Sequence, residues 1–302
     1  MLVSVYLPTK DRIERLRKAV DSVLGQTHRD LELIVIDDGS SDGTPAYLAA
    51  LAARDPRVLV IRHDSPHGAP RSRNEAIRRS RGAFATGLDD DDEFLPERLE
   101  SFVAYWDFLS ARGVRPAFLY AQDVIVKSPT HRYVWRKAGQ AMARDMFAGN
   151  YVGNQIFAPR QHFIDAGLFD EDLPVWQDLE FFLRLLKRYG TAYLLDLATY
   201  VFDDAPRDDR ITSKSRAKLM QAFQVIADRH AGGDPVLRQR LWMQLFSPYN
   251  GLRPTVGDWW RFASLGMNLE GAVHMFRAMR LGVHRWGASA VRRTLRSAGL
   301  RR

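Results

Sequence analysis

The fold of this chain is decided by residues 86–96, Thr86-Gly87-Leu88-Asp89-Asp90-Asp91-Asp92-Glu93-Phe94-Leu95-Pro96. Four adjacent carboxylates repel one another, and the end of a strand offers nothing that neutralises them. A divalent cation would offset the repulsion, because hard metals such as Mg²⁺ and Mn²⁺ prefer carboxylate oxygens. A solvated acidic turn is the other interpretation of such a run, so the surrounding sequence is needed to choose between them.

Length and composition are those of a globular protein with room for a full core. The 302 residues are 46% hydrophobic and 26% charged and include no cysteine, which excludes disulfides, thiolate metal sites and a cysteine nucleophile. Residues 1–8 are apolar but lack a basic leader and a cleavage site, so we predict a first strand and not a signal peptide. No apolar run reaches the roughly 18 residues of a membrane span.

Charge is divided unevenly along the chain. Residues 211–302 hold 16 Lys and Arg against 4 Asp and Glu, a net charge of +12, whereas residues 1–210 hold 28 against 32, a net charge of −4. The sequence therefore predicts a near-neutral domain over 1–210 and a basic helical region over 211–302. The excess positive charge of the second region indicates an anionic partner.

Strand and helix patterns alternate through the first part of the chain. Apolar runs there predict strands at 3–7, 31–36, 58–61 and 83–88, and later ones at 192–195 and 199–202. The alternation indicates an α/β fold with a mainly parallel sheet flanked by helices. Ligands of such sheets bind beyond the carboxyl ends of the strands. Polar clusters occupy three of those ends, 8–11, 37–39 and 89–92, and we expect them to converge on one crevice.

Seven short motifs follow one another across residues 2–205. They are 3–9, 21–27, 35–44, 68–74, 88–96, 167–172 and 177–181. In this order and spacing they resemble the family 2 glycosyltransferases of the GT-A fold. The resemblance implies that 1–210 is an inverting transferase domain. It would move a sugar from a nucleotide-sugar, commonly a UDP-sugar, to a hydroxyl of a glycan or lipid-linked acceptor.

The resemblance assigns the donor site to the ends of the first strands. Asp37 and Asp38 match a carboxylate pair that contacts the base and ribose, and carboxylates can accept hydrogen bonds from ring N–H and hydroxyl groups. Arg73 matches an arginine suited to the base or the diphosphate. The other donor-binding residues that it implies are Pro8, Thr9, Asp11, Asp89 and Asp90. A turn residue remains the alternative for Asp37, and an N-cap of the next helix for Asp11.

The family's Asp-x-Asp motif maps to Asp89 and Asp91, judged by their distance from Pro96. The resemblance implies that Asp91 ligates Mn²⁺ or Mg²⁺, while Asp89 contacts the ribose or supports the metal. A metal there would assist the departure of the nucleoside diphosphate. Asp90 and Asp92 exceed the usual pattern, so the working pair could be shifted by one position.

Asp178 matches the acidic residue that the family uses as general base. Inverting transfer needs a carboxylate that deprotonates the acceptor hydroxyl as it attacks the anomeric carbon. An N-cap of the following helix is the alternative role for Asp178. Two departures from the family stand out: Gln177 where glutamate is usual, and Asp203-Asp204 where many relatives carry a metal-binding histidine. The eight histidines show no metal-ligand spacing, and His63 and His67 are expected to be structural or exposed.

The C-terminal residues 277–302 contain eight arginines and no acidic residue. One interpretation is packing on the catalytic domain or on a second subunit, which would make a homodimer. The other is a peripheral location at an anionic membrane surface, on the cytoplasmic face of the inner membrane, close to a lipid-linked acceptor. No nucleic acid partner is expected, because a recognition motif is missing. A non-catalytic GT-A-like module that binds nucleotide-sugars or docks on membranes is the alternative function.

Overall fold

A computed structural model of the chain describes residues 1–205, 215–247 and 249–266. It forms two compact units. The first comprises Met1–Met146 with Asn150–Ile211, and the second comprises Phe147–Gly149 with Thr212–Arg302. The arginine-rich residues 277–302, with their predicted packing or membrane role, lie outside the described residues.

The first unit contains a sheet flanked by helices. Its strands are β1 Val3–Thr9, β2 Leu31–Asp37, β3 Val58–Arg62, β4 Phe84–Gly87, β5 Glu93–Phe94, β6 Leu119–Ser128, β7 His131–Trp135, β8 Gln140–Ala141, β9 Phe157–Pro159 and β10 Ala192–Asp203. Its helices are α1 Ile13–Leu24, α2 Thr44–Arg54, α3 Ala69–Arg79, α4 Arg98–Ser110, α5 Ala143–Met146, α6 Arg160–Asp165 and α7 Gln177–Tyr189. The predicted α/β class is confirmed.

The strands follow the order β3-β2-β1-β4-β9-β6-β10-β5, with β7 paired to β6 and β8 paired to β10. Parallel pairing joins β1 to both β2 and β4, β2 to β3, and β6 to β10. The remaining pairs are antiparallel. The two strands predicted at 192–195 and 199–202 are one strand, β10, whose register against β6 shifts between Leu195 and Tyr200.

Strand β1 lies in the middle of the core and is covered on both faces, as expected for a central parallel strand. Val3, Val5 and Leu7 are fully buried in one cluster with α1 and α4. On the opposite face, the Tyr6 ring meets the edges of Phe163 and Phe169. A strand held on both faces has little freedom to shift, so the residues at its carboxyl end are placed firmly.

The sheet register shows where the crevice lies. Leu119 of β6 is opposite Phe157 of β9, which in turn is opposite Thr86 of β4. The remainder of β6 and its hairpin with β7 therefore extend past the end of β4, where the four aspartates begin. The β6–β7 hairpin and β10 therefore line one side of the crevice, next to the aspartates.

The described part of the second unit is mainly helical, as the sequence predicted for this region. It contains α8 Arg216–Ile226, a π-helical turn Ala227–Ala231, α9 Pro235–Gln244 and α10 Val256–Ser264. Trp242 is buried and packs edge-on against Phe223, with ring centroids 5.0 Å apart. Among the described helices, none has the length and apolar character needed to cross a bilayer.

Candidate active site

The carboxyl ends of β1, β2 and β4 meet, as expected. The backbone N–H of Asp38 donates to the carbonyl of Thr9 at 2.9 Å, which joins the ends of β2 and β1 beyond Pro8. The hydroxyl of Thr9 donates to Asp90 Oδ2 at 2.8 Å, which joins the end of β1 to the aspartate run. The structure therefore brings the three predicted polar clusters together in one crevice.

The four aspartates divide into two pairs that differ in exposure and partners. Asp90 is buried and also bonds Arg12 Nη1 at 3.1 Å. Asp92 is buried and accepts hydrogen bonds from the Tyr200 hydroxyl at 2.7 Å and from the backbone N–H of Asp203 at 2.9 Å. Asp89 and Asp91 keep 21% and 17% of their side-chain surface exposed. The odd-numbered pair is the one turned toward solvent.

The electrostatics of the run fit a cation. Burial, together with the charges of Asp89 and Asp90, raises the pKa of Asp91 to about 7. Arg12 opposes this rise in pKa through an ion pair of 3.2 Å with Asp91. A protonated carboxyl near neutral pH signals an excess of negative charge, and a hard divalent ion bound by oxygen ligands would relieve it. The residues present therefore suit Mn²⁺ or Mg²⁺.

Asp178 lies in the first turn of α7, and the prediction that it could be the N-cap is wrong. The N-cap is Trp176, which adopts a left-handed conformation with φ of 63°. Asp178 Oδ1 is buried and has no hydrogen-bond partner among the described residues. Burial raises the pKa of Asp178 to about 6, an effect that Arg73 opposes and Asp89 reinforces. A carboxylate with this pKa can accept a proton near neutral pH.

Arg73 links the two carboxylates on which the predicted chemistry depends. Its Nη2 lies 2.8 Å from Asp89 Oδ1, and its Nη1 lies 3.6 Å from Asp178 Oδ1. The guanidinium is 5.6 Å from the centroid of the Phe169 ring. The structure places Arg73 between Asp89, a predicted metal ligand, and Asp178, the predicted general base. Its contact with the donor's nucleobase or diphosphate stays a prediction.

The two carboxylates at the end of β2 have different surroundings. Asp37 is fully buried: its Oδ1 accepts a hydrogen bond from the backbone N–H of Ser40, and its Oδ2 lies 3.7 Å from Arg62 Nε in an ion pair. Asp38 accepts hydrogen bonds from the backbone N–H groups of His67, through Oδ1, and of Gly68, through Oδ2, each at 2.8 Å. Asp37 therefore joins the ends of β2 and β3, Asp38 holds the loop before α3, and contact of either residue with the donor stays a prediction.

Asp11 does not cap α1, because the N-cap of that helix is Arg12. Asp11 has a positive φ of 52°, and its Oδ1 accepts a hydrogen bond from the backbone N–H of Ser41 at 2.6 Å. Its own backbone N–H donates to Ser40 Oγ at 2.9 Å. Asp11 thus fastens the loop that follows β2 to the loop that follows β1.

The sequence interpretation missed a group of histidines at this site. His63 Nδ1 lies 2.7 Å from Asp38 Oδ1, and His63 Nε2 lies 2.9 Å from Glu75 Oε2. Burial lowers the pKa of His63, but the two carboxylates outweigh it and the net shift is upward. Ligand atoms of Asp38, His63 and His67 lie within 4.8 Å of one another, close enough to hold a metal ion. The spacing His-x₃-His was the signal available for this group.

Two further contacts near the aspartates could not be predicted from spacing. Gln155 Nε2 donates to Asp89 Oδ1 at 3.2 Å, and a Cβ on Gly87 would collide with the side chains of Gln155 and Tyr6. Close in sequence to Gln155, the carbonyl of Val152 accepts a hydrogen bond from Lys137 Nζ at 2.8 Å, and Lys137 Nζ lies 2.7 Å from Asp123 Oδ2 in a buried ion pair. Burial lowers the pKa of Lys137 to about 8.

Comparison with known proteins identifies the family. The family model described as "Glycosyl transferase family 2" matches residues 4–162. The chain belongs to glycosyl transferase family 2. It is 34% identical over 220 residues to the putative colanic acid biosynthesis glycosyl transferase WcaA of Escherichia coli, covering 71% of this chain and 77% of that protein. It is 29% identical to the putative teichuronic acid biosynthesis glycosyltransferase TuaG of Bacillus subtilis, covering 64% of this chain and 75% of TuaG.

Two solved structures have a similar fold. One is residues 1–349 of TarS from S. aureus in complex with UDP-GlcNAc, with a TM-score of 0.65, 18% identity and coverage of 92% of this chain and 79% of that one. The other is the mannosyltransferase PcManGT from Pyrobaculum calidifontis in complex with GDP-Man and Mn²⁺, with a TM-score of 0.58, 18% identity and coverage of 94% and 81%. The predicted GT-A fold and the prediction of a glycosyltransferase enzyme are confirmed.

Proposed function

We propose that this family 2 enzyme transfers a sugar, with inversion, from a nucleotide-sugar to a hydroxyl group of a glycan or a lipid-linked saccharide. The observation that carries the proposal is the state of Asp178. Its Oδ1 is buried without a hydrogen-bond partner among the described residues, and its pKa is raised to about 6. A carboxylate of that kind is suited to take a proton from an alcohol in the transition state.

The donor would lie across the ends of the first strands. Asp37 Oδ2 would accept a hydrogen bond from an N–H of the nucleobase once Arg62, now 3.7 Å away, is displaced, and Asp89 and Asp91 would hold Mn²⁺ or Mg²⁺. When bound, that ion offsets the negative charge of the departing diphosphate. The UDP-GlcNAc bound by TarS and the GDP-Man and Mn²⁺ bound by PcManGT support a nucleoside-diphosphate sugar donor and a divalent ion for this chain as well. Of these donors we propose a UDP-sugar, the commonest in the family that the sequence resembles.

In the transfer step, the acceptor oxygen bonds to the anomeric carbon as the bond from that carbon to the diphosphate oxygen breaks. The hydroxyl proton passes to Asp178, and the nucleoside diphosphate leaves with the bonding electrons. Arg73 holds the general base, Asp178, near the donor, because it contacts both Asp178 and Asp89. Attack from the face opposite the diphosphate inverts the anomeric centre.

The acceptor class is inferred from relatives and from charge. WcaA and TuaG are named for the biosynthesis of polysaccharides, and residues 211–302 carry a net charge of +12. Together these favour a growing saccharide at the cytoplasmic surface of an anionic membrane, where the protein would associate peripherally.

The test is a panel of sugar nucleotides, assayed for transfer or hydrolysis with and without Mn²⁺. With the active donor, Asp178→Asn should keep donor binding and lose transfer by roughly 10²–10⁴-fold. Asp172→Asn is the matched control, because Asp172 is an exposed carboxylate on the same approach to α7. Retention of anomeric configuration in the fresh product, measured by NMR, would refute the mechanism. Donor binding without turnover in the wild type would instead favour a non-catalytic module.

A further inference from the structure

Helix α10 of the second unit exposes large apolar side chains on one face. Val256 and Trp260 lie one turn apart, and 69% and 75% of their surface is exposed. The exposure does not come from a poorly anchored helix. On the other face Asp258 and Phe262 are 5% and 3% exposed, and Asp258 forms an ion pair with Arg216 of α8.

The start of α10 is also well defined. The side chain of Thr255 accepts a hydrogen bond from the backbone N–H of Asp258, and the carboxylate of Asp258 accepts one from the backbone N–H of Thr255. This reciprocal capping box stabilises the first turn. Val256 and Trp260 are therefore presented to solvent by a helix with a fixed start and a buried face.

Positively charged residues lie close to this apolar face in the sequence. Arg253 precedes the helix and Arg261 follows Trp260 directly; both are exposed, and the guanidinium of Arg261 lies 5.7 Å from the ring centroid of Trp242. The chain after Gly266 adds eight arginines and one glutamate over 36 residues. A tryptophan beside arginines is the combination found on proteins that lie in the interface of an anionic bilayer, with the ring among the headgroups and acyl chains and the cations at the phosphates.

We propose that the exposed face of α10, defined by Val256 and Trp260, inserts into the interface of an anionic membrane, with Arg253 and Arg261 at the headgroups. Basic residues near such a surface are attracted to its anionic headgroups, so the arginines and the apolar contact together give reversible binding. The inference rests on the peripheral membrane association proposed above and deepens it by naming the surface that binds. It is independent of the transfer reaction, because it needs neither a particular donor nor a particular acceptor.

The test is flotation of the full-length protein with vesicles of phosphatidylcholine and phosphatidylglycerol in equal amounts. Wild type should float with these vesicles and not with phosphatidylcholine alone. Its binding should weaken at about 1 M salt, where the Debye length falls to about 3 Å. Trp260→Ser should bind at least about tenfold more weakly, because the apolar contribution of the indole is lost. Phe108→Ser is the matched control, because Phe108 is an exposed aromatic residue of the first unit, 48% exposed, and should bind as wild type does.

A second measurement locates the insertion. Vesicles with brominated acyl chains should quench part of the tryptophan fluorescence of the wild type. Trp260→Phe should keep vesicle binding and lose most of that quenching. Hydrolysis of the nucleotide-sugar in solution should be unchanged in both Trp260 variants, which shows that they fold and keeps this result separate from the proposed function.

Two results would overturn the proposal. The first is a wild type that does not bind anionic vesicles. The second is a Trp260→Ser variant that binds them as well as the wild type does. If that variant also changes from dimer to monomer in light scattering, the face is a contact between subunits.

Discussion

Replacing Arg73 with methionine tests whether this arginine sets the proton affinity of the predicted base. The guanidinium Nη1 lies 3.6 Å from Asp178 Oδ1. Removing a positive charge at that distance makes the carboxylate harder to ionise, so the pKa of Asp178 should rise. Methionine retains much of the length and apolar character of the arginine stem, which keeps the packing near Phe169.

The size of the effect follows from the distance. Two unit charges 3.6 Å apart interact by about 4–5 kcal/mol at an effective dielectric constant of about 20, equivalent to about three pKa units. A quarter of the Asp178 side chain is exposed, at 24%, so solvent screens part of this interaction. We therefore expect the pKa of Asp178 to rise from about 6 by about one to two units.

The assay is the pH dependence of kcat/KM for the donor, which reports ionisations of the free enzyme. It is measured at saturating Mn²⁺, so that protonation of Asp91 does not determine the acid limb. The acid limb should move upward by about one to two pH units in Arg73→Met. The activity of Arg73→Met will also fall, because Arg73 contacts Asp89. Only the pH at which the acid limb lies tests the pKa of Asp178. Arg71→Met is the control, since Arg71 is exposed on the same helix. An unmoved acid limb in Arg73→Met would refute the electrostatic role.

The other predictions concern the metal, a buried ion pair and a tight contact. Asp91→Asn should abolish the increase in donor affinity that Mn²⁺ produces, measured in a donor-binding titration. Burial raises the pKa of Asp91 to about 7. In the wild type, protons should therefore compete with the metal as the pH falls below that value. Lys137→Met should lower the free energy of unfolding by about 3–5 kcal/mol in urea, because Asp123 is left buried without its partner, and apolar replacement of both should restore most of the loss. Gly87→Ala should cost about 1–3 kcal/mol through the collision with Tyr6, measured the same way; wild-type stability would contradict the close packing.

The parts of the fold that could be predicted are those governed by local pattern. Buried parallel strands appear as short apolar runs, so β1 to β4 were located to within a few residues, and the polar residues after them had to meet at one edge of the sheet. The continuity of β10 could not be predicted. Its register shifts near Ala198 depend on pairing with β6, which is distant in sequence.

The candidate site shows the same division. The aspartate run is visible in the sequence by itself, whereas its metal role and the choice of Asp178 as general base came from the resemblance to family 2 glycosyltransferases, and both roles stay predictions. The alternative role of Asp11 and Asp178 as helix N-caps was wrong. The position of a cap depends on backbone angles, which cannot be seen in the sequence. The partners of Asp38 were missed for another reason: His63 reaches it from the end of β3, and only the folded sheet brings the two together.

The division of the four aspartates into outward and inward pairs has a consequence for genetics. Asp89 and Asp91 touch solvent, whereas Asp90 and Asp92 fasten the turn to β1 and β10. Neighbouring positions in one short run should therefore yield opposite classes of allele. Substitutions at 89 or 91 would give abundant, folded and inactive protein, which could act dominantly by sequestering substrate. Changes at 90 or 92 would deplete the protein and behave as simple recessive losses.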